Sequence, residues 1–183
     1  MTLTKLNNII LKGSKDFLAD AIFPESKEKL PLVIFVHGYK GYKDWGVWEM
    51  VGEKFAKEGF YFVKFNMSHN GTTLENPNHI TDLDSFANNN FTKELADLEI
   101  VINEFISRNE VDSQNVTLVG HSRGGGVCVI KASENKRINQ LIMLASISTL
   151  DRFPKNEAFE NWKNTGVYYI EHARTKQKLF PVF

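Results

Sequence analysis

The sequence predicts an α/β protein, a mainly parallel sheet with helices flanking it. Three observations carry this. Strand-like and helix-like segments alternate from Leu32 to about Ser148, the order expected of parallel strands joined by crossover helices. Two strand segments, Leu32–Val36 and Leu141–Ala145, are continuous apolar runs of the kind buried on both faces of a parallel sheet. Between them the apolar run Val116–Val119 breaks on Gly120 and passes through Ser122 into three glycines, a sharp strand-to-helix junction.

Taken in order, Asn8–Leu11 and Phe17–Phe23 are weak strand candidates, followed by the turn-rich PESKEKLP and the strong strand Leu32–Val36. Tyr39–Lys43 reads as a glycine-punctuated loop. Asp44 is placed to cap a helix whose apolar positions are Trp48, Val51, Phe55 and Ala56, with Gly59 as its stop. Phe60–Phe65 is again strand-like. A polar stretch, Asn66–Asn90, is unusually long for a loop within one domain, and such loops often carry function. Thr92 is expected to cap the next helix, where Leu95, Leu98, Val101, Ile102, Phe105 and Ile106 form one stripe. Glu94 and Asp97 suit the positive end of that helix. The strand Val116–Val119, a helix over Gly124–Glu134 and the strand Leu141–Ala145 follow. Beyond them lie a helix near Glu157–Lys163 and a strand at Val167–Glu171.

The chain of 183 residues fits one domain, and its 42% hydrophobic content is enough for a core. Lys+Arg and Asp+Glu both number 22, so no electrostatic footprint for nucleic acid or an anionic membrane is expected. Cys128 is the sole cysteine, which excludes an internal disulfide. Neither a signal peptide nor a membrane-length apolar run is read, so a cytoplasmic location is expected. Metal-ligand spacing and cofactor motifs are not found; no metal or cofactor is expected.

Gly120-His121-Ser122-Arg123-Gly124 has the G-x-S-x-G form. A strand that turns this tightly into a helix forces the serine into a strained conformation and leaves room only for glycine on either side. The hydroxyl then stands clear of the sheet at the positive end of the helix. The Arg123 N–H faces the place where a tetrahedral oxyanion develops. A phosphate loop would need Gly-Lys-Ser/Thr, and a dinucleotide site G-x-G-x-x-G; neither is present. The remaining alternative is that Ser122 merely caps the helix. His37-Gly38-Tyr39-Lys40-Gly41, directly after the strong early strand, places Tyr39 N–H as a second oxyanion donor on a neighbouring strand end.

HGYKGYKDWG, FVKFNMSHNGTT, FTKELADLE and VGHSRGG together resemble the α/β-hydrolase superfamily over roughly residues 8–150, near its dienelactone-hydrolase and serine-peptidase-like bacterial branches. The resemblance implies a serine hydrolase acting on an ester, thioester or amide of a small molecule or peptide through an acyl-enzyme. Ser122 is then the nucleophile, the N–H groups of Tyr39 and Arg123 form the oxyanion hole, and Trp45 and Ser68–Thr73 line or support the pocket. In that superfamily the acid and then the histidine follow the serine, usually on later strands. Here one strand and about 35 residues follow. The expectation is a single domain over 1–183, incomplete at its C-terminus and lacking the last strand–helix units, with about 152–183 opening a cap region.

Five histidines are present. His37 and His121 read as braces of their loops, and His79 as a solvated loop residue. His69 is a candidate base because it follows the Phe60–Phe65 strand. His172 is the candidate that obeys chain order, and Asp151, after the strand beyond the elbow, is the candidate acid. The alternative to an enzyme is a non-catalytic protein of the same fold used for binding or assembly, self-associating through an exposed sheet edge.

Overall fold

The computed structural model describes residues 2–151, 156–166, 168, 170–171 and 178–179. Its centre is a six-stranded sheet built from β1 (Leu3–Leu11), β2 (Phe17–Pro24), β3 (Leu30–Val36), β4 (Tyr61–Phe65), β5 (Val111–His121) and β6 (Ile138–Leu144). The spatial order is β1-β2-β4-β3-β5-β6. β1 and β2 run antiparallel, β2 joins β4 antiparallel, and β4, β3, β5 and β6 are mutually parallel. The C-terminal ends of β3, β4 and β5 therefore open on the same edge of the sheet, which is where open α/β sheets hold ligands.

Period-two alternation in β3 divides two cores. Leu32, Ile34 and Val36 join Val63, Phe65, Leu118 and the buried stripe Leu98, Val101, Ile102 and Phe105 of α3 (Phe91–Ile106). Val33 and Phe35 face the other way, with Phe62, Val119 and Trp48 of α1 (Trp48–Lys57). α4 (Arg123–Glu134) packs on the α3 side through Val127 and Cys128. Each fully buried Leu, Ile, Val or Phe contributes about 1.5–3 kcal/mol of apolar burial, so a sheet covered on both faces follows from the apolar runs that predicted it.

Several boundaries differ from the sequence reading, for physical reasons. Asp44 does not cap α1; Val47 holds the cap position without a side-chain bond. The Asp44 carboxylate is instead drawn onto Lys43 (2.7 Å) and Lys64. Thr92 does not cap α3: the Asn90 side chain accepts from Lys93 N at 3.0 Å and takes that role. The stretch 66–90 is not all loop, since Asp82 caps a short helix α2 (Leu83–Ala87) by accepting from Ser85 N at 2.9 Å. β6 is the largest correction. Its run Leu141-Ile142-Met143-Leu144 is exposed, because among the described residues β5 alone pairs with it and the opposite edge is open. The helix α5 (Glu157–Thr165) extends two residues past the expectation and ends on Gly166 at φ 72°. β7 (Ile170–Glu171) and β8 (Lys178–Leu179) form a separate antiparallel pair. None of the described helices is long and apolar enough to cross a membrane.

A charged cluster ties β1, β2, β4 and α1 together. Asp20, Lys43 and Lys64 are all buried, with Lys43 Nζ 2.6 Å and Lys64 Nζ 3.1 Å from Asp20 Oδ2. Lys64 also meets Glu49 at 2.9 Å, and Lys5 meets Glu49 at 2.7 Å and Glu53 at 2.6 Å. Asn8, at φ 57° where the β1–β2 register shifts, gives its amide to Asp20 Oδ1 at 2.8 Å. Each buried charge is met by its opposite, the condition under which buried ions are tolerated.

Candidate active site

The junction between β5 and α4 adopts the conformation its glycines imply. Ser122 sits at φ 52°, ψ −119°, a region that L residues enter only under constraint and at a cost of about 1–3 kcal/mol. The constraint is visible: Ser122 N donates to Leu144 O at 2.9 Å, while Ser122 O accepts from Gly125 N at 3.1 Å and Ile147 N at 3.2 Å. A Cβ on Gly124 would press into the carbonyl oxygens of Val36 and His37, and one on Gly120 would lie 2.5 Å from Gly125 Cα. Ser122 occupies the N-cap position of α4, yet its side chain makes no capping hydrogen bond. The alternative in which the serine exists to cap the helix therefore loses its physical basis.

The His37–Gly41 loop lies directly against this turn. A Cβ on Gly38 would stand 3.0 Å from Ser122 Cβ. The loop closes on itself through Gly41 N to Gly38 O at 2.9 Å, with Lys40 at φ 58°. His37 is buried, and burial pulls its pKa down to about 4, so the ring is neutral at physiological pH. Its Nδ1 meets Gly38 O at 2.9 Å and its Nε2 accepts from Met67 N at 3.3 Å. It is a brace, as expected. Asn70 adds a bond to Gly41 O at 3.2 Å, and Asn66 Oδ1 accepts from Lys43 N at 2.7 Å. Thr72 Oγ1 in turn fixes Asn70 Oδ1 at 2.7 Å. The segment 66–72 thus supports the loop that bears Tyr39. Tyr39 stacks on Phe86 with ring centroids 5.6 Å apart, and its backbone N–H has no acceptor among the described residues. The Arg123 N–H, in the first turn of α4, likewise has no helical partner to bond.

The sequence model of the alpha/beta hydrolase fold matches residues 31–176. The chain belongs to the alpha/beta hydrolase family. A protein of Mycoplasma genitalium named as an esterase/lipase is 26% identical, aligned over 94% of this chain and 61% of its own length. The chain thus spans less than two thirds of that relative. Among solved structures, DcsB in complex with a substrate analogue superposes with a TM-score of 0.68 at 20% identity, covering 88% of this chain and 50% of that one. The acetyl xylan esterase from Paenibacillus sp. R4 gives 0.59 at 19% identity, covering 76% and 48%. At such identities these structures support the fold, which is the α/β arrangement the alternation predicted.

In this hydrolase-fold chain the hydrogen bonds described for His69 and Asp151 go to residues other than Ser122. His69 Nδ1 bonds Ser68 Oγ at 2.8 Å, and burial with Lys93 and Lys15 nearby lowers its pKa. The charged groups that act on it are Lys93, Lys15 and Asp82. Asp151 is exposed, with its amide on Thr149 Oγ1 at 3.1 Å. His172 lies outside the described residues. Trp45 is half exposed; Trp48 is the tryptophan that packs the elbow, its ring 5.3 Å from that of His121.

Two acids of α3 escaped the sequence reading, which assigned them only to the helix dipole. Glu94 is buried against Arg123, and Asp97 is buried with Oδ2 accepting from Ser68 N at 2.7 Å. The signal was present: positions 94 and 97 fall on the same stripe as Leu98 and Val101, and an acid on an apolar stripe needs a partner inside. Burial outweighs the Ser68 bonds and raises Asp97 to about 6. A raised acid favours folding when protonated. Its stabilising contribution is complete below the ordinary carboxylate range near 4 and is lost as pH rises through about 6. Urea unfolding between pH 4 and 7 is expected to show this slope, and Asp97→Asn, which keeps an acceptor for Ser68 N, is expected to flatten it.

Proposed function

We propose that this chain carries the nucleophile and oxyanion half of a serine hydrolase acting on an ester, thioester or amide of a small-molecule or peptide acyl substrate. Ser122 Oγ attacks the acyl carbonyl carbon and its proton passes to a general base. The oxyanion is received by the N–H groups of Tyr39 and Arg123. The leaving group departs with a proton, and water then releases the acyl group from Ser122. The observation that carries this reading is the strained, uncapped Ser122, held at φ 52° with Gly38 packed against its Cβ.

The base and acid in this reading come from outside the described residues, where His172 lies, or from segments that the longer relatives possess. The region from about 152 onward, including α5 and its Phe159–Trp162 pair at 5.9 Å, is read as the start of a cap over the site. Short-chain p-nitrophenyl ester hydrolysis tests the reading. Turnover above background that vanishes in Ser122→Ala supports it, and turnover that survives the substitution rules it out.

A second reading is favoured by β6. Its uncharged, exposed edge suits pairing with another copy of the chain, in a protein that keeps the fold for assembly. Sedimentation that shows a dimer abolished by Met143→Lys, with no ester turnover, would favour it.

A further inference from the structure

We infer that Glu94, with Asn89 behind it, is a positioning residue that latches the Arg123 side chain and so fixes the Arg123 amide at the head of α4. The inference rests on the reading of Ser122 and its two amides given above. Arg123 Nε donates to both Glu94 oxygens at 3.0 Å. The Arg123 guanidinium carbon lies 3.8 Å from the ring centroid of Phe91, which precedes Glu94 by one turn of α3. Asn89 Nδ2 donates to Glu94 Oε1 at 2.7 Å, with both side chains buried. Glu94 and Phe91 therefore grip the Arg123 side chain by charge, hydrogen bonding and ring contact, and Asn89 holds Glu94 from behind.

The grip matters because of what precedes Arg123. Ser122 is strained, and relaxation of that strain would rotate the next peptide group. The first N–H groups of a helix have no carbonyl four residues back to restrain them. Anchoring the side chain of the same residue to α3 restrains the peptide from the other side. Burial pushes the Glu94 carboxyl up while Arg123 and Asn89 pull against it, so the pair depends on both partners staying in place. Removing the charge of Glu94 leaves a nearly buried guanidinium without its counter-ion.

The test uses backbone 15N relaxation together with the rate at which a fluorophosphonate labels the protein. In Glu94→Gln, the Arg123 amide is expected to fall from the rigid range, order parameter about 0.85, toward about 0.6, with Leu118 and Val101 unchanged. Phosphonylation of Ser122 is expected to slow about ten- to a hundredfold. The double variant Glu94→Gln/Arg123→Met is expected to be no slower than Arg123→Met alone. If Glu94→Gln does not fold, Arg123→Lys, which keeps the amide and the charge but loses the planar fork, is expected to show the same loss of order. An Arg123 amide that stays rigid in the variants, or rate penalties that add, overturns the latch. If the wild-type protein takes no phosphonate while the amide still loosens in the variant, the latch stands and the nucleophile reading falls.

Discussion

Gly124→Ala is expected to destabilise the protein by about 3 kcal/mol, the upper end of the usual overpacking cost, and to remove any ester turnover with it. The added methyl meets two backbone oxygens, Val36 O and His37 O (2.5 Å), at the end of the central strand β3. Backbone oxygens of a central strand cannot swing aside, so either α4 must lift from the sheet or β3 must retreat. Either movement opens the gap between Ser122 and Gly38. Gly126→Ala is the control on the same helix. There the methyl meets Ile147 Cδ1 at 2.7 Å, the far end of a flexible side chain, and alanine favours helix by about 1 kcal/mol over glycine. That variant is expected to be close to neutral. Urea midpoints at unchanged m-value separate the two, and equal midpoints would mean that the contact of α4 with β3 is looser than described.

Ser122→Gly is expected to make the protein more stable by about 1 kcal/mol while abolishing its chemistry. Relief of a backbone strained by about 1–3 kcal/mol is set against about 0.5–1 kcal/mol for the greater freedom of glycine in the unfolded chain. Ser122→Ala keeps the strain and, having no capping bond to lose, is expected to unfold within about 0.5 kcal/mol of the wild type. If the serine were a helix cap, Ser122→Ala would instead cost about 1 kcal/mol. The two variants together distinguish strain held at a reactive turn from an ordinary helix start by urea denaturation alone.

The sequence made the elbow legible because every requirement there is local. A strand, a turn and a helix within a few residues demand glycine at 120 and 124, and the structure finds neighbours too close for any side chain. The His37–Gly41 loop was legible for the same reason. What escaped depends on partners distant in the chain. Asp44 is a sound cap residue by type, but two lysines outbid the helix for it, one of them Lys64 from the next strand. Lys64 itself sits in the apolar strand Tyr61–Phe65 and gives no local hint that Asp20 waits for it. β6 has the composition of a buried strand, and burial is a property of its neighbours rather than of its residues. Glu94 and Asp97 could have been found by asking why acids stand on an apolar stripe.

The nucleophile can be tested most directly by treating the protein with a fluorophosphonate and mapping the adduct by peptide mass spectrometry. One adduct per chain is expected, on Ser122 within the tryptic peptide Asn109–Arg123, and none in Ser122→Ala. A protein that remains unlabelled, or an adduct found on another residue in the wild type, would contradict the assignment of Ser122.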